Sequence, residues 1–364
     1  MEATENKLLN SFDEYILCSD CFKDYGLILQ AQKIGINNKE ACINCCSTEG
    51  SKLTGKLIQD IASLFFVEGT ISKSKYGACP IIQFNYSNPG DSFDDFSDEL
   101  RKDMALIESK IGLKFFYYGP RLWMIGENEP LKSLQKKTEQ QAILDRIINE
   151  YPSRTLHTED IFYRLRINPD KTHHHADYDS PPENIIKKGR LESKKLPILY
   201  CSQDIETCIH ECRTTAEDNL YIAVLNPTKE LKVIDLTPIV GNDDETEFES
   251  LDIAIHMLFM ASKHSYNISR EIALEIYNNG FDGLIYPSYF STLRTGATPL
   301  ETILGISIRK IPQLTEYAES QIKSNIALFG RPIQDEKVTI KGINRIVLKK
   351  VIYDYDFGPV EKAP

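Results

Sequence analysis

The sequence predicts an α+β protein: a helical, cysteine-rich N-terminal region followed by a region of strands with interspersed helices. Three observations predict it. Five of the nine cysteines lie within residues 18–46. Residues 51–150 carry mostly helical apolar spacing with one strand-like interruption. Beyond them, short apolar runs bounded by turn residues read as strands, with helical patterns between.

Taken in order, "KLIQDIASLFFVEG" has helical spacing and ends at Gly69. "IIQFNY" (81–86) reads as a strand. "DSFDDFSDELRKDMALIESKIG" is acidic at its front and basic later, as a helix dipole prefers. "LKSLQKKTEQQAILDRIINEY" reads as one more helix, closed before Pro152. A boundary falls near Tyr151–Thr155. The organisation expected is a cysteine-knuckle region (1–50), a mostly helical domain (51–152) and a C-terminal domain (153–364). Strands are expected at 196–201, 220–225, 231–236, 283–287 and 303–308. Helices are expected at 203–213, 251–264 and 268–279, the last closed by Gly280.

Forty-two basic and 53 acidic residues give a net charge of −11. This argues against general nucleic-acid binding, which needs a basic face, but leaves room for a local anion pocket. No stretch reaches the apolar length of a membrane span. The first residues lack the basic-then-apolar pattern of a signal peptide. A reducing, cytoplasmic location is expected, with thiols available for metal.

Cys18-x2-Cys21 and Cys42-x2-Cys45 form two CxxC knuckles. Together they supply the four soft ligands that a tetrahedral zinc ion takes. Cys46 is adjacent and is an alternative to Cys45. Four thiolates leave no open position, so such a Zn2+ is structural.

Several weaker signals are set aside. "GSKLTGKL" (50–57) has Leu57 where a P-loop needs a hydroxyl, so it reads as a helix cap. His173–His175 read as an exposed polar loop, because three consecutive side chains cannot converge on one ion. "RTLH" (154–157) is too short for the Arg…His pair of helical RNases.

"GRLESKKLPILYCSQDIETCIHECR" (189–213) combines a loop, a strand and a helix. Ser202 is the expected N-cap, with Asp204 and Glu206 in the first turn. Ile205, Cys208, Ile209 and Cys212 are the expected buried stripe. Glu211 sits at the edge of that stripe, as a cleft residue or a surface residue.

This region resembles the RES-domain family, named for its arginine, glutamate and serine. The motifs are "FYRLRI" with Arg164, "KKGR" with Arg190, "LPILYC" with Tyr200, "ETCIHE" with Glu211, "FDGLIYPS" with Ser288 and "SNIALFG" with Asn325. They run in order over residues 160–335. "GRLES" lacks the Asn or Pro that usually follows the arginine, and Cys208 replaces an alanine. The N-terminal half resembles the HEPN/RES N-terminal domain through "CSDCFKDYGL", "ACINC" and "RLWMIGE", although no intact Arg-x4–6-His is present.

The resemblance implies an ADP-ribosyltransferase-like mixed sheet and consumption of NAD+ by cleavage of its nicotinamide–ribose bond. Family members are glycohydrolases or phosphorylases, often toxins. The expected roles are pyrophosphate binding by Arg164 and Arg190, packing on nicotinamide or ribose by Tyr200, and stabilisation of an oxocarbenium-like sugar by Glu211. Ser288 would orient ribose or the acceptor, with Asn325 beside it. Expected catalytic residues are thus Glu211, Arg164, Tyr200 and Ser288. NAD+ contacts are expected from Arg164, Arg190, Tyr200, Ser288 and Asn325.

Two rival readings stay open: ADP-ribosyl transfer to a protein or nucleic acid, and a zinc-dependent binding or sensor module with an inactive catalytic half. An antiviral-defence role, an antitoxin or trigger-protein partner and a homo-oligomer are also within the expectation.

Overall fold

The computed structural model describes residues 14–74, 77–87, 89–118, 128–181, 189–240, 245–246, 249–260, 265–291, 302–303, 306–307, 311–320 and 322–361. "RLWMIGE" (121–127) lies outside them, as does part of the 303–308 run. The architecture is mixed α+β with several sheets. Contacts divide the chain into two units. One comprises residues 1–72, 79–123 and 353–364; the other comprises 73–78 and 124–352.

In the first unit, β1 (Leu17–Cys18) pairs antiparallel with β2 (Lys52–Leu53), and α1 (Tyr25–Ile34) follows the first cysteine pair. The α2 helix (Gly55–Ile61) is capped by Thr54, whose hydroxyl accepts the Leu57 amide, so the Gly-Lys stretch is a cap as expected. It runs on through a π turn, 62–67, and a 3-10 turn, 68–70. Strand β3 (Ile82–Asn85) pairs antiparallel with β4 (Lys114–Tyr117).

Helix α3 covers only Asp98–Ile111, not the whole 91–112 stretch. Ser97 caps it by accepting the Leu100 amide, so helical φ and ψ begin only after that cap. The chain end belongs to this unit. Phe357 packs on its core, and Gln30 bonds both the Asp356 carboxylate and the Phe357 amide.

In the second unit, the expected single helix near 131–151 is two helices, α4 (Glu129–Leu134) and α5 (Gln140–Glu150). A five-stranded sheet has the order β5 (Ser153–Leu156), β9 (Leu231–Asp235), β10 (Gly283–Pro287), β11 (Ser324–Phe329), β7 (Ile198–Cys201). Only β9 and β10 run parallel in it. A three-stranded antiparallel sheet has the order β12 (Val338–Ile346), β8 (Leu220–Pro227), β6 (Phe162–Ile167). The two sheets meet where Tyr163 and Ser202 exchange backbone hydrogen bonds of 2.7 and 3.1 Å.

Phe162, Leu199, Leu225, Val233, Ile285 and Leu328 are buried in one cluster under these strands. Each such side chain contributes about 1.5–3 kcal/mol on full burial, so the cluster fixes which strand face points inward. Helices α6 (Ile205–Glu211), α7 (Leu251–Met260), α8 (Tyr266–Asn278) and α9 (Thr315–Ser320) complete the unit. Gly112 (φ 75°) and Gly280 (φ 80°) end α3 and α8 in the left-handed region, where glycine has no Cβ penalty. No helix among the described residues is long and apolar enough to cross a membrane.

Two local expectations are corrected. Asp204, not Ser202, caps α6: its carboxylate accepts the Thr207 amide at 2.8 Å. The Ser202 hydroxyl instead donates to Ser324 O at 2.8 Å, tying β7 to β11. Of the expected stripe, Cys208 is buried against Leu165, Leu220 and Ile222, and Ile209 and Cys212 pack beside it, whereas Ile205, in the first turn after Asp204, is exposed.

Candidate functional site

The seam between the two sheets of the second unit opens into a cavity of about 650 Å³. That lies within the usual 300–1,000 Å³ range for small-molecule sites, roughly speaking. The ends of β6, β7, β10 and β11 deliver its walls, with α6 beside them. Arg164, Arg190, Tyr200, Glu211 and Asn325 all line it. Ser288 reaches it through Glu211.

Glu211 is the last residue of α6. Its Oε1 accepts hydrogen bonds from Ser288 Oγ and Asn325 Nδ2, each at 2.6 Å. The donors come from adjacent strands. Tyr286 pairs with Asn325 in the β10–β11 register, and Ser288 follows Pro287 at the end of β10. Ser288 is itself fixed, because its amide donates to Lys323 O and its oxygen accepts the Phe290 amide. No donor among the described residues meets Oε2. The carboxylate is therefore aimed by one oxygen, with the other open to a ligand. Glu211 is exposed, so the cavity is open to solvent at this point.

Arg164 is almost completely buried on β6. Nε donates to Tyr178 O (2.9 Å), Nη1 to Tyr200 O (2.8 Å) and Nη2 to Asp179 O (3.3 Å). Arg166, two residues on and so on the same strand face, donates to Asp177 O (2.6 Å) and Asp179 O (3.3 Å). Neither has a carboxylate within ion-pair distance among the described residues. Burial lowers the pKa of both, and the positive charge of Arg164 adds to the fall of Arg166 to about 10. Two guanidiniums braced by neutral carbonyls give this wall a surplus of positive charge. Arg164 keeps only part of its N–H fork for a ligand.

Arg190 lies in the loop before β7. Its Nη1 donates to Phe259 O at 2.7 Å, and its guanidinium stands 5.3 Å from the Tyr266 ring centroid and 5.7 Å from that of Phe259. The Tyr200 hydroxyl accepts the Leu191 amide at 3.0 Å, and burial pushes its pKa up. The phenol is thus a neutral brace for the Arg190 loop, with its ring lining the cavity.

Arg166, Glu192, Tyr286, Tyr289, Phe290 and Arg213 also line the cavity, and sequence reasoning assigned none of them. Arg166 carries a legible signal, since "R-x-R" on a strand puts both side chains on one face. Glu192 is buried, and a Cβ on Gly189 would lie 2.8 Å from its Oε1, so this carboxylate packs over a glycine. Burial raises its pKa, while Arg164, Arg270 and Arg166 act in the opposite sense. Tyr286 is stacked on Phe259 at 4.9 Å.

A second candidate site lies in the first unit. The sulfur atoms of Cys18, Cys21, Cys42 and Cys45 all lie within 4.8 Å of one another and could hold a metal ion. The sulfur separations are 3.9 Å (Cys18–Cys21), 3.5 Å (Cys18–Cys45) and 3.6 Å (Cys21–Cys42). A tetrahedron with metal–sulfur bonds of about 2.3 Å has edges of about 3.8 Å, so the donor set fits. Cys45, not Cys46, completes the cluster. The Cys46 amide donates to Cys42 O, and its φ of 60° turns the chain out of the knuckle. Burial pushes the Cys18 and Cys21 thiols up, Cys21 to about 11, whereas hydrogen bonds from Ser47 and the neighbouring thiols lower that of Cys45. His173–His175 are exposed, as expected.

Residues 161–297 match the family model described as the RES domain. No curated protein matches the chain. Among solved structures, a chain of the M. tuberculosis MbcT-MbcA toxin-antitoxin complex is similar over 56% of this chain and 91% of that chain. The identity is 12% and the TM-score 0.31.

Proposed function

We propose, from the RES domain that residues 161–297 carry, that this protein degrades NAD+ by cleaving the bond between nicotinamide and ribose. The observation that carries the reading is the Glu211 carboxylate, held at Oε1 by Ser288 and Asn325 in a cavity with surplus guanidinium charge. Nicotinamide leaves with the bonding electron pair, and positive charge develops at the sugar C1′ and ring oxygen. A preorganised carboxylate stabilises that charge most when it is aimed in advance. Glu211 Oε2 is the atom available to take a ribose hydroxyl.

Arg164, Arg166 and Arg190 favour the pyrophosphate, and Arg190 spends the fewest N–H groups of the three on protein carbonyls. Tyr200 and Tyr286 offer aromatic faces to a base or sugar. Ser288 and Asn325 orient the carboxylate. The acceptor is water, giving ADP-ribose and a proton, or phosphate, giving the sugar 1-phosphate. On this reading the second unit has an ADP-ribosyltransferase-like fold.

The ion assigned to Cys18, Cys21, Cys42 and Cys45 is Zn2+. Four thiolates fill its tetrahedron, so it supplies a cross-link rather than catalysis. In the proposed division of labour, residues 1–50 bind metal, 51–152 form a HEPN/RES N-terminal-like domain, and 153–364 act on NAD+. The protein would then be a toxin or antiviral-defence effector in the cytoplasm. The part ahead of the catalytic domain would assemble oligomers or meet an antitoxin or trigger protein.

Incubating the pure protein with NAD+, with and without phosphate, tests this by product identity. Free nicotinamide with ADP-ribose or its 1-phosphate is the expected result. Label transferred from NAD+ to protein or nucleic acid would replace the reading by ADP-ribosyl transfer. Intact NAD+ would leave a zinc-dependent binding module.

A further inference from the structure

Three consecutive residues of the Arg190 loop are held by side chains from elsewhere in the second unit. Gly189 O accepts from both Nε (2.9 Å) and Nη2 (2.6 Å) of Arg270. Arg190 O accepts from Ser269 Oγ at 2.7 Å. The Leu191 amide donates to the Tyr200 hydroxyl at 3.0 Å. Arg270 is oriented in turn by Asn267 Oδ1 at 3.1 Å, and its guanidinium lies 5.7 Å from the Tyr266 ring that Arg190 also faces.

We propose that Arg270 and Ser269 are positioning residues that preset Arg190 for an anionic dinucleotide; this rests on the proposed NAD+ reading. The physical reason is the loop's lack of regular structure. Gly189–Leu191 have no strand partner among the described residues, so side chains must supply the order that a ladder gives elsewhere. A long arginine on a loose loop loses rotamer and backbone freedom when it grips a ligand. The clamp moves that cost from binding to folding. Arg270 does not line the cavity, so it acts through Gly189 O and the shared Tyr266 ring.

Geometry and charge can be separated at position 270. A lysine at 270 keeps the charge but lacks the planar fork that holds one carbonyl with two N–H groups. If the clamp is what matters, Arg270→Lys behaves like Arg270→Met. Ser269→Ala removes the neighbouring bond and serves as the second variant should Arg270→Met fold poorly.

The test uses the full-length protein with these three substitutions. Amide exchange over residues 189–196 is read in the ligand-free state, together with KM and kcat for NAD+ and inhibition constants for ADP-ribose and nicotinamide. The expected result is faster exchange in the loop and a KM and ADP-ribose Ki raised together by about tenfold, the size of one ordered side chain. In the same variants kcat changes less than twofold and nicotinamide inhibition is unaltered. Wild-type values in Arg270→Lys, or unchanged exchange in all three variants, would overturn the proposal, as would a fall in kcat at constant KM. Loop exchange that accelerates in a protein whose wild type leaves NAD+ intact would sink the NAD+ reading and leave the clamp standing.

Discussion

The Ser288 hydroxyl lies 2.6 Å from Oε1 of Glu211, a residue 77 positions earlier on a different element. Asn325 Nδ2 reaches the same oxygen at 2.6 Å. Both donors aim one carboxylate, so their contributions are not independent. Ser288→Ala and Asn325→Ala should each lower NAD+ turnover, on the order of tenfold for one lost hydrogen bond to a charged group. The double variant should fall short of the product of the two effects. Steady-state kcat values in the four-member cycle check this; strict multiplicativity would show that the two side chains act separately.

The buried guanidinium of Arg164 should matter for stability as well as for substrate. Arg164→Met would take a donor from the carbonyls of Tyr178 and Tyr200, while Asp179 O would keep Arg166; a buried carbonyl left unpaired costs about 1–3 kcal/mol. Denaturant unfolding should show a loss of at least about 2 kcal/mol. An unchanged midpoint and slope would mean that Arg164 is a ligand-binding residue without a bracing role.

Glu192 predicts a pH-dependent stability difference. Burial holds its carboxyl above the ordinary value. The stability linked to this group is therefore fully present below its unfolded pKa and is lost as pH rises through the higher folded pKa. Glu192→Gln removes that loss. The variant's melting temperature should exceed the wild-type value at pH 8, and the gap should close towards pH 4. A variant that is less stable than wild type at pH 8 would show that the carboxylate is a net favourable counter-ion for Arg164 and Arg166.

The four-cysteine cluster predicts one bound metal per chain. Cys42→Ser should lose it and lower the melting temperature, because a structural thiolate site contributes directly to folding. Cys46→Ser should retain it, since Cys46 stands outside the cluster. Elemental analysis of both variants decides, and metal loss in Cys46→Ser would refute the ligand set.

Strong local signals were legible from the sequence. "GLIYP" forms strand Gly283–Pro287, and the paired CxxC spacing brings four sulfurs together. Gly280 closes α8 because its backbone needs positive φ. The α6 cap was harder to place, because Ser202 and Asp204 are both good caps and their choice turns on a tertiary bond, Ser202 to Ser324. Ile205 falls in the exposed first turn, while Cys208, Ile209 and Cys212 face the core as their spacing indicates.

The residues of the candidate site were legible one by one, but their couplings were not. That Tyr200 spends its hydroxyl on Leu191, or that Arg164 spends its fork on carbonyls, depends on how two sheets meet at Tyr163 and Ser202. Local periodicity does not encode such a junction. Glu192 was hidden for the same reason, since its burial depends on the Gly189 backbone beneath it.

Nicotinamide release by wild type and Glu211→Gln tests the central claim most directly. The glutamine amide oxygen can still accept from Ser288 and Asn325, so the melting temperature should stay close to wild type. Its lost charge no longer opposes the developing positive sugar, and kcat should drop by about a hundredfold or more. Equal rates of nicotinamide release by the two folded proteins would contradict the account.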